Sequence, residues 1–188
     1  MNYGKINKTD IANGPGVRVS LFVSGCTHHC KGCFNEEAWD FNYGNPYTDD
    51  IKDEILDALS PEYIEGLTIL GGEPFELQNI KYVYELIKTV KEKYPNKTIW
   101  IYSGYTFDEL MRRSIGFTGY NIIKEDLYTL YVLLLADVLV DGEFIEDKKD
   151  ITLKFRGSSN QRLIDLKSTT DNLYLYSYKT FKVKELED

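Results

Sequence analysis

Three thiols dominate the chemistry of this sequence. Cys26, Cys30 and Cys33 are its only cysteines, and they lie together in Cys26-Thr-His-His-Cys30-Lys-Gly-Cys33, a C-x3-C-x2-C pattern. An odd number of thiols cannot close a disulfide set. Clustered thiols in a reducing compartment hold metal or do redox work. Iron–sulfur clusters require soft, anionic thiolate ligands. Three thiolates on one short loop can hold three irons of a [4Fe–4S] cubane, and no fourth cysteine remains for the last iron. An open iron can take a substrate or cofactor, as open positions do at catalytic metals. A simple electron carrier normally fills every cluster position with cysteine, which this chain cannot do. The rival is a structural Cys3His zinc site completed by His28 or His29. Both histidines lie inside the loop, an awkward place from which to reach the same ion, and spacing alone leaves zinc open.

Other residues suited to a ligand are glycines and acids. Gly71-Gly72-Glu73-Pro74 follows an apolar run. Paired glycines let backbone groups approach a ligand closely, and Glu73 can accept hydrogen bonds from an ammonium group. The plain alternative is a strand-to-helix turn, which the cysteine loop makes the weaker reading. Gly25 and Gly32 allow tight turns at the strand exit and inside the loop. Ser103-Gly104 and Asp141-Gly142 are candidate pocket walls or ordinary turns. Arg156 can pair with a carboxylate of a ligand or partner, or form a surface ion pair. Ser158, Ser159 and Asn160 read as a helix cap. Arg18 reads as structural or docking, His28 and His29 as loop filler, and Trp39, Trp100 and most tyrosines as packing.

These residues need elements to position them. Residues 17–23 alternate and predict a strand, after the turn signal Asn13-Gly14-Pro15-Gly16. Residues 49–59 predict a helix with Thr48 as N-cap. Strands are expected at 67–70, 98–102 and 138–140. Helices are expected over about 79–93, 107–113 and 122–135, the last ambiguous, with a loop at 114–121. The stretch 173–183 alternates weakly and reads as strand or hairpin. Strands alternating with helices predict an α/β fold with a mainly parallel sheet. Each chemical motif follows a strand, and ligand sites in such folds gather at the strands' carboxyl ends. Cys26, Gly71, Ser103 and Asp141 are therefore expected to converge on one cleft.

Composition narrows the setting. A chain of 188 residues with 43% hydrophobic content suits a single domain, residues 1–188, with an extended tail from about 166. The net charge of −8 argues against bulk nucleic-acid binding, which needs a basic face. No run approaches the ~20 apolar residues of a membrane span. The start Met1-Asn2-Tyr3-Gly4-Lys5 has no apolar signal core. The expected location is cytoplasmic.

C-x3-C-x2-C followed by Gly-Gly-Glu-Pro resembles the signature of the radical S-adenosylmethionine superfamily. Further segments narrow the likeness: Asn13-Gly-Pro-Gly-Val-Arg18, Leu21-Phe-Val-Ser-Gly-Cys26, Gly32-Cys-Phe-Asn35, Trp100-Ile-Tyr-Ser-Gly-Tyr105, Val138-Leu-Val-Asp-Gly-Glu-Phe144 and Phe155-Arg-Gly-Ser-Ser-Asn-Gln161. They resemble the glycyl-radical activases of anaerobic ribonucleoside-triphosphate reductases, from residue 1 to about 165. The stretch 114–133 and the tail after Asp165 depart from that pattern.

The resemblance implies an incomplete open (βα) barrel; a full one typically needs ~250 residues. It implies that Cys26, Cys30 and Cys33 ligate the cluster, and that S-adenosylmethionine chelates the open iron through its amino and carboxylate groups. Gly32, Cys33 and Phe34 would border the adenine. Gly72, with Glu73 beside it, would meet the amino group, and Gly71, Ser103 and Asp141 would also belong to the cofactor site. An electron donor such as flavodoxin would reduce the cluster. The 5′-deoxyadenosyl radical from the cleaved cofactor would take a hydrogen from a glycine of the large reductase subunit. An activase of another glycyl-radical enzyme, of the pyruvate formate-lyase type, is the nearest alternative. A non-catalytic zinc module is the more distant one.

Overall fold

The computed structural model describes residues 1–114, 124–170 and 183–187. In chain order these form β1 (Asn2–Asp10), β2 (Val17–Val23), β3 (Asn45–Pro46), α1 (Asp49–Leu59), β4 (Ile64–Gly71), α2 (Ile80–Lys93) and β5 (Thr98–Tyr102). Then come α3 (Phe107–Ser114), α4 (Lys124–Leu135), β6 (Val138–Asp141), β7 (Arg162–Asp165) and α5 (Leu166–Thr170). Short 3-10 turns lie at Glu36–Trp39 and Glu146–Lys148. The predicted loop at 114–121 and hairpin at 173–183 fall almost wholly outside the described residues.

A seven-stranded sheet runs β3-β1-β2-β4-β5-β6-β7. Its centre, β2-β4-β5-β6, is parallel, as expected. Its flanks are antiparallel: β3 on β1, β1 on β2, and β7 on β6. The sheet is open, with β3 and β7 as its edges. Parallel strands require crossovers, and the helices supply them. The antiparallel flanks escaped sequence reading because β1 (Asn-Tyr-Gly-Lys-Ile-Asn-Lys-Thr-Asp) is rich in residues that disfavour strands. Pairing with β2 imposes its conformation.

The two faces of the sheet are unlike. Val19, Leu21, Val23, Leu67, Ile69 and Ile101 point to one face and join the main core. The buried residues of α1, α2, α3 and α4 join the same core. On α2, Ile80, Val83, Ile87 and Val90 recur at helical spacing and are buried. Each such side chain contributes about 2 kcal/mol of burial energy. Among the described residues the other face carries no such helical cover. It holds a small cluster of Trp100, Val138, Val140 and Leu163, packed by Phe155 and Leu186.

A buried cation pins that second face. Arg18 is fully buried and donates to Thr68 Oγ1 at 2.7 Å, Thr98 Oγ1 at 2.9 Å, Leu67 O at 2.8 Å and Thr98 O at 3.0 Å. Its guanidinium also lies 5.7 Å from the Trp100 ring centroid. Burial lowers its pKa to about 10, which keeps it charged at neutral pH. Arg18 thus joins β2, β4 and β5, the structural role open to it from sequence.

Asp137 makes a second polar pin, just before β6. Its carboxylate takes the N–H of Ile99 at 2.7 Å and pairs with Lys91 and Lys167, each at 2.6 Å. Burial pushes its pKa up, but Lys167, Lys91 and the Ile99 N–H outweigh burial and hold it below the usual carboxylate value.

Two outcomes follow from these pins. Arg18→Lys keeps the charge but not the planar fork of donors, and should cost about 2 kcal/mol in urea unfolding. An unchanged midpoint would refute the pinning role. For Asp137 the folded pKa lies below the unfolded one. Its stabilisation is therefore complete above the unfolded value of about 3.9 and is lost as pH falls through the folded pKa. Asp137→Asn should lower stability at neutral pH and flatten this acid limb; a parallel downward shift of the whole pH curve would show that its charge does not matter.

Candidate functional site

The chemical motifs meet because β2, β4, β5 and β6 are sheet neighbours that all point one way. Their carboxyl ends share one rim. The β2–β4 pairing continues past the strands, where Gly72 N–H donates to Val23 O and Glu73 N–H to Gly25 O, each at 2.7 Å. The cysteine loop is held from its other side by Gly25 N–H on Ala38 O at 2.8 Å and Cys26 N–H on Trp39 O at 3.2 Å. Asn79 donates to both Ser24 O and Glu73 O at 3.0 Å. Gly71 has φ +112°, and a side chain at Gly72 would place its Cβ 2.5 Å from Gly25 O. Only glycine permits this approach.

Cys26, Cys30 and Cys33 all line one cavity of about 510 Å³. All three are free thiols; Cys26 is buried and the others are half-buried. Burial pushes the Cys26 thiol up to about 12 against the opposing N–H groups of His28 and His29, and raises Cys30 as well. Such thiols stay protonated until a bound cation displaces the proton. Asn35 N–H points at Cys33 Sγ, 3.4 Å away, a contact suited to a metal-bound thiolate. Soft donors gathered in one cavity fit an iron–sulfur cluster. Among the described residues, no group of three or more His, Cys, Asp or Glu is placed to hold a single metal ion. A cubane does not require one, since each thiolate takes a different iron.

Phe34, Gly71, Gly72, Glu73 and Ser103 line the same cavity, which is large enough for a drug-sized cofactor. Phe34 is 70% exposed and meets Phe144 edge to face at 5.1 Å. Glu73 is buried, and its carboxylate is already engaged. It accepts from Phe75 N–H at 2.9 Å, Ser103 Oγ at 3.0 Å and Gly104 N–H at 2.7 Å. Glu73 and Ser103 therefore tie the β4 exit to the β5 exit.

Gly32 and Asp141 lie apart from the cavity wall. Gly32 turns the loop with φ +72° and faces Glu146. Asp141 is fully buried, with its carboxylate taken by Arg162 at 2.9 and 2.5 Å and by Phe107 N–H at 2.7 Å. It lines a neighbouring polar cleft, and the adjacent Gly142 reaches the cysteine cavity. Arg156 also lines the cavity and donates to Gln161 O at 3.1 Å. Ser158 and Asn160 cap no helix. Ser158 Oγ accepts from Ile145 N–H, and Asn160 donates to Glu143 O at 2.8 Å, which pins the loop after β6.

Sequence reading missed Phe22, Leu70 and Tyr102, which line the cavity from the face without helical cover. The missing signal was facing: these three alternate with the aliphatic core positions, on a side that also carries Arg18, Ser20 and Thr68 and so resembles a solvent face rather than a cavity wall. It also underrated His28. This ring lines the cavity, and Nδ1 sits 2.8 Å from Glu143 Oε1 while Nε2 lies 3.4 Å from Glu73 Oε2. Burial lowers its pKa, but Glu73 and Glu143 more than reverse this and raise it to about 9. His29 turns away with φ +51° and stacks on Trp39 at 4.7 Å.

Comparison with known proteins agrees with this geometry. A family model described as a 4Fe-4S single cluster domain matches residues 12–164. The anaerobic ribonucleoside-triphosphate reductase-activating protein of Escherichia coli (strain K12) is 39% identical over 163 residues, covering 86% of this chain and 96% of that protein. Its counterpart in Pasteurella multocida (strain Pm70) is 40% identical, with 86% and 95% covered. That of Enterobacteria phage T4 is 38% identical over 176 residues, with 93% and 98% covered. With its thiol loop inside the matched domain and relatives aligned along most of its length, the chain belongs to the family of anaerobic ribonucleoside-triphosphate reductase-activating proteins and carries a 4Fe-4S domain.

Proposed function

We propose that this chain activates an anaerobic ribonucleoside-triphosphate reductase by radical S-adenosylmethionine chemistry, leaving a glycyl radical on the reductase. The observation that carries the reading is the meeting of Cys26, Cys30, Cys33, Gly71, Gly72 and Glu73 around one cavity at the carboxyl rim of a parallel sheet. Cluster and cofactor, when bound, supply the electron and the 5′-deoxyadenosyl radical that removes the glycine hydrogen.

The chain's own residues bind, orient and exclude water. Cys26, Cys30 and Cys33 would hold the cluster through their thiolates. Gly71 and Gly72 would offer backbone to the cofactor's amino group, while Glu73 fixes that backbone through Ser103 and Gly104. Phe22, Leu70 and Tyr102 give the cavity an apolar floor that keeps water from a reactive radical. Phe34, exposed at the cavity's wall, would border the cofactor. Helices on one face leave the other as the inner wall of an incomplete barrel, and its open side admits a glycine carried by another protein. The partner is the large reductase subunit. A cytoplasmic one-electron donor such as flavodoxin fits the chemistry.

Anaerobic reconstitution with iron and sulfide, followed by dithionite and S-adenosylmethionine, should yield 5′-deoxyadenosine. Stoichiometric zinc without iron, and no cofactor cleavage, would end the proposal. Cys30→Ala should abolish both the cluster and cleavage, and retained turnover would show that the ligand assignment is wrong. Gly72→Ala forces a Cβ against Gly25 O and should reduce turnover at least about 100-fold through displacement of the loop. Incubation with the reductase should give a glycyl-radical signal in electron paramagnetic resonance. The same signal on a pyruvate formate-lyase type enzyme, and none on the reductase, would reassign the partner.

A further inference from the structure

We propose that His28 is a positioning residue that latches the cysteine loop to the exits of β4, β5 and β6, and so sets the register between cluster and cofactor. The inference rests on the radical S-adenosylmethionine reading above.

The case is geometric. His28 stands midway between Cys26 and Cys30, and its side chain is 10% exposed. Nδ1 meets Glu143, just after β6, at 2.8 Å. Nε2 lies 3.4 Å from the Glu73 carboxylate, just after β4. The ring centroid is 4.3 Å from that of Tyr105, just after β5, at 63°. It also packs on Gly104 so closely that a Cβ there would lie 2.6 Å from the ring. One imidazole thus touches the loops after three strands while sitting in the loop after a fourth, β2.

No neighbouring residue duplicates this contact set. His29 stacks on Trp39 instead, and Thr27 binds Glu76 through its N–H at 2.9 Å and its hydroxyl at 2.5 Å. Glu73 is common to both halves of the site. It orders Ser103 and Gly104 with its two oxygens and faces His28 with one of them. Displacing the His28 ring would let the thiol loop shift against the Gly71–Gly72 backbone without removing any thiol. Catalytic geometry is sensitive to such shifts, about 100-fold for 1 Å.

The test uses the full chain, metal-free and reconstituted. In the metal-free chain, His28→Ala should speed amide hydrogen exchange at residues 25–33 about tenfold, while α2 and β4 keep their protection. After reconstitution, His28→Ala should retain wild-type iron and sulfide content. Its reduced-cluster paramagnetic spectrum should respond to S-adenosylmethionine only at higher concentration, and KM for that cofactor should rise about tenfold with a smaller loss in kcat. His28→Gln, with an amide able to reach one carboxylate, should recover part of each effect. Glu143→Ala removes the exposed half of the latch and should show the same pattern more weakly; if His28→Ala fails to fold, these two variants decide the matter.

Wild-type exchange, spectrum and KM in His28→Ala would overturn the latch. So would loss of iron with loop protection intact, which would make His28 a ligand. If the wild type binds a cluster but never cleaves the cofactor, the underlying reading fails, and the exchange measurement on the metal-free chain still decides the latch.

Discussion

The pairing of β2 with β4 does not stop where the strands stop. Val23 O and Gly25 O go on to accept from Gly72 and Glu73, so two loops more than forty residues apart in sequence are stitched by backbone hydrogen bonds. Everything chemical depends on this extension. It sets the backbone that leads into the cysteine loop beside the paired glycines, whatever rotamers the side chains adopt. It also explains why the glycines are glycines: at Gly72 the neighbouring carbonyls occupy the space a Cβ would need.

From that seam the rest of the site is assembled by carboxylates. Glu73 carries the β4 exit to β5 through Ser103 and Gly104. Asp141 carries the end of β6 to the start of α3 and to β7 through Phe107 and Arg162. Each is buried, and each accepts three hydrogen bonds, which is how a buried polar group is tolerated. Both acids thus brace the strand exits around the cavity.

The sheet's asymmetry serves the same end. Helices and aliphatic side chains cover one face, and Arg18 locks the other by hydrogen bonds to β4 and β5. Phe22, Leu70 and Tyr102 occupy that second face nearer the carboxyl rim, where the cavity lies. A stable sheet and an accessible cavity coexist because the two faces divide the work.

The sequence by itself determined the thiol set, the Gly-Gly-Glu turn and the central β-α order. It could do so because thiolate chemistry and apolar periodicity are local in the chain. β2, α1 and β5 lie where alternation and capping place them, with Thr48 accepting from Ile51 N–H at 3.4 Å. The antiparallel flanks were not legible, because β1 and β7 owe their form to partners rather than to their own composition. Nor was the side of the sheet that meets the cavity, since that face mixes Arg18, Ser20 and Thr68 with Phe22 and Leu70 and so has the pattern of a side turned to solvent. Tertiary structure alone decided that Asp141 holds Arg162 and Phe107 and that His28 lines the cysteine cavity. Both follow from contacts across 21 to 115 residues of sequence, which no local pattern encodes.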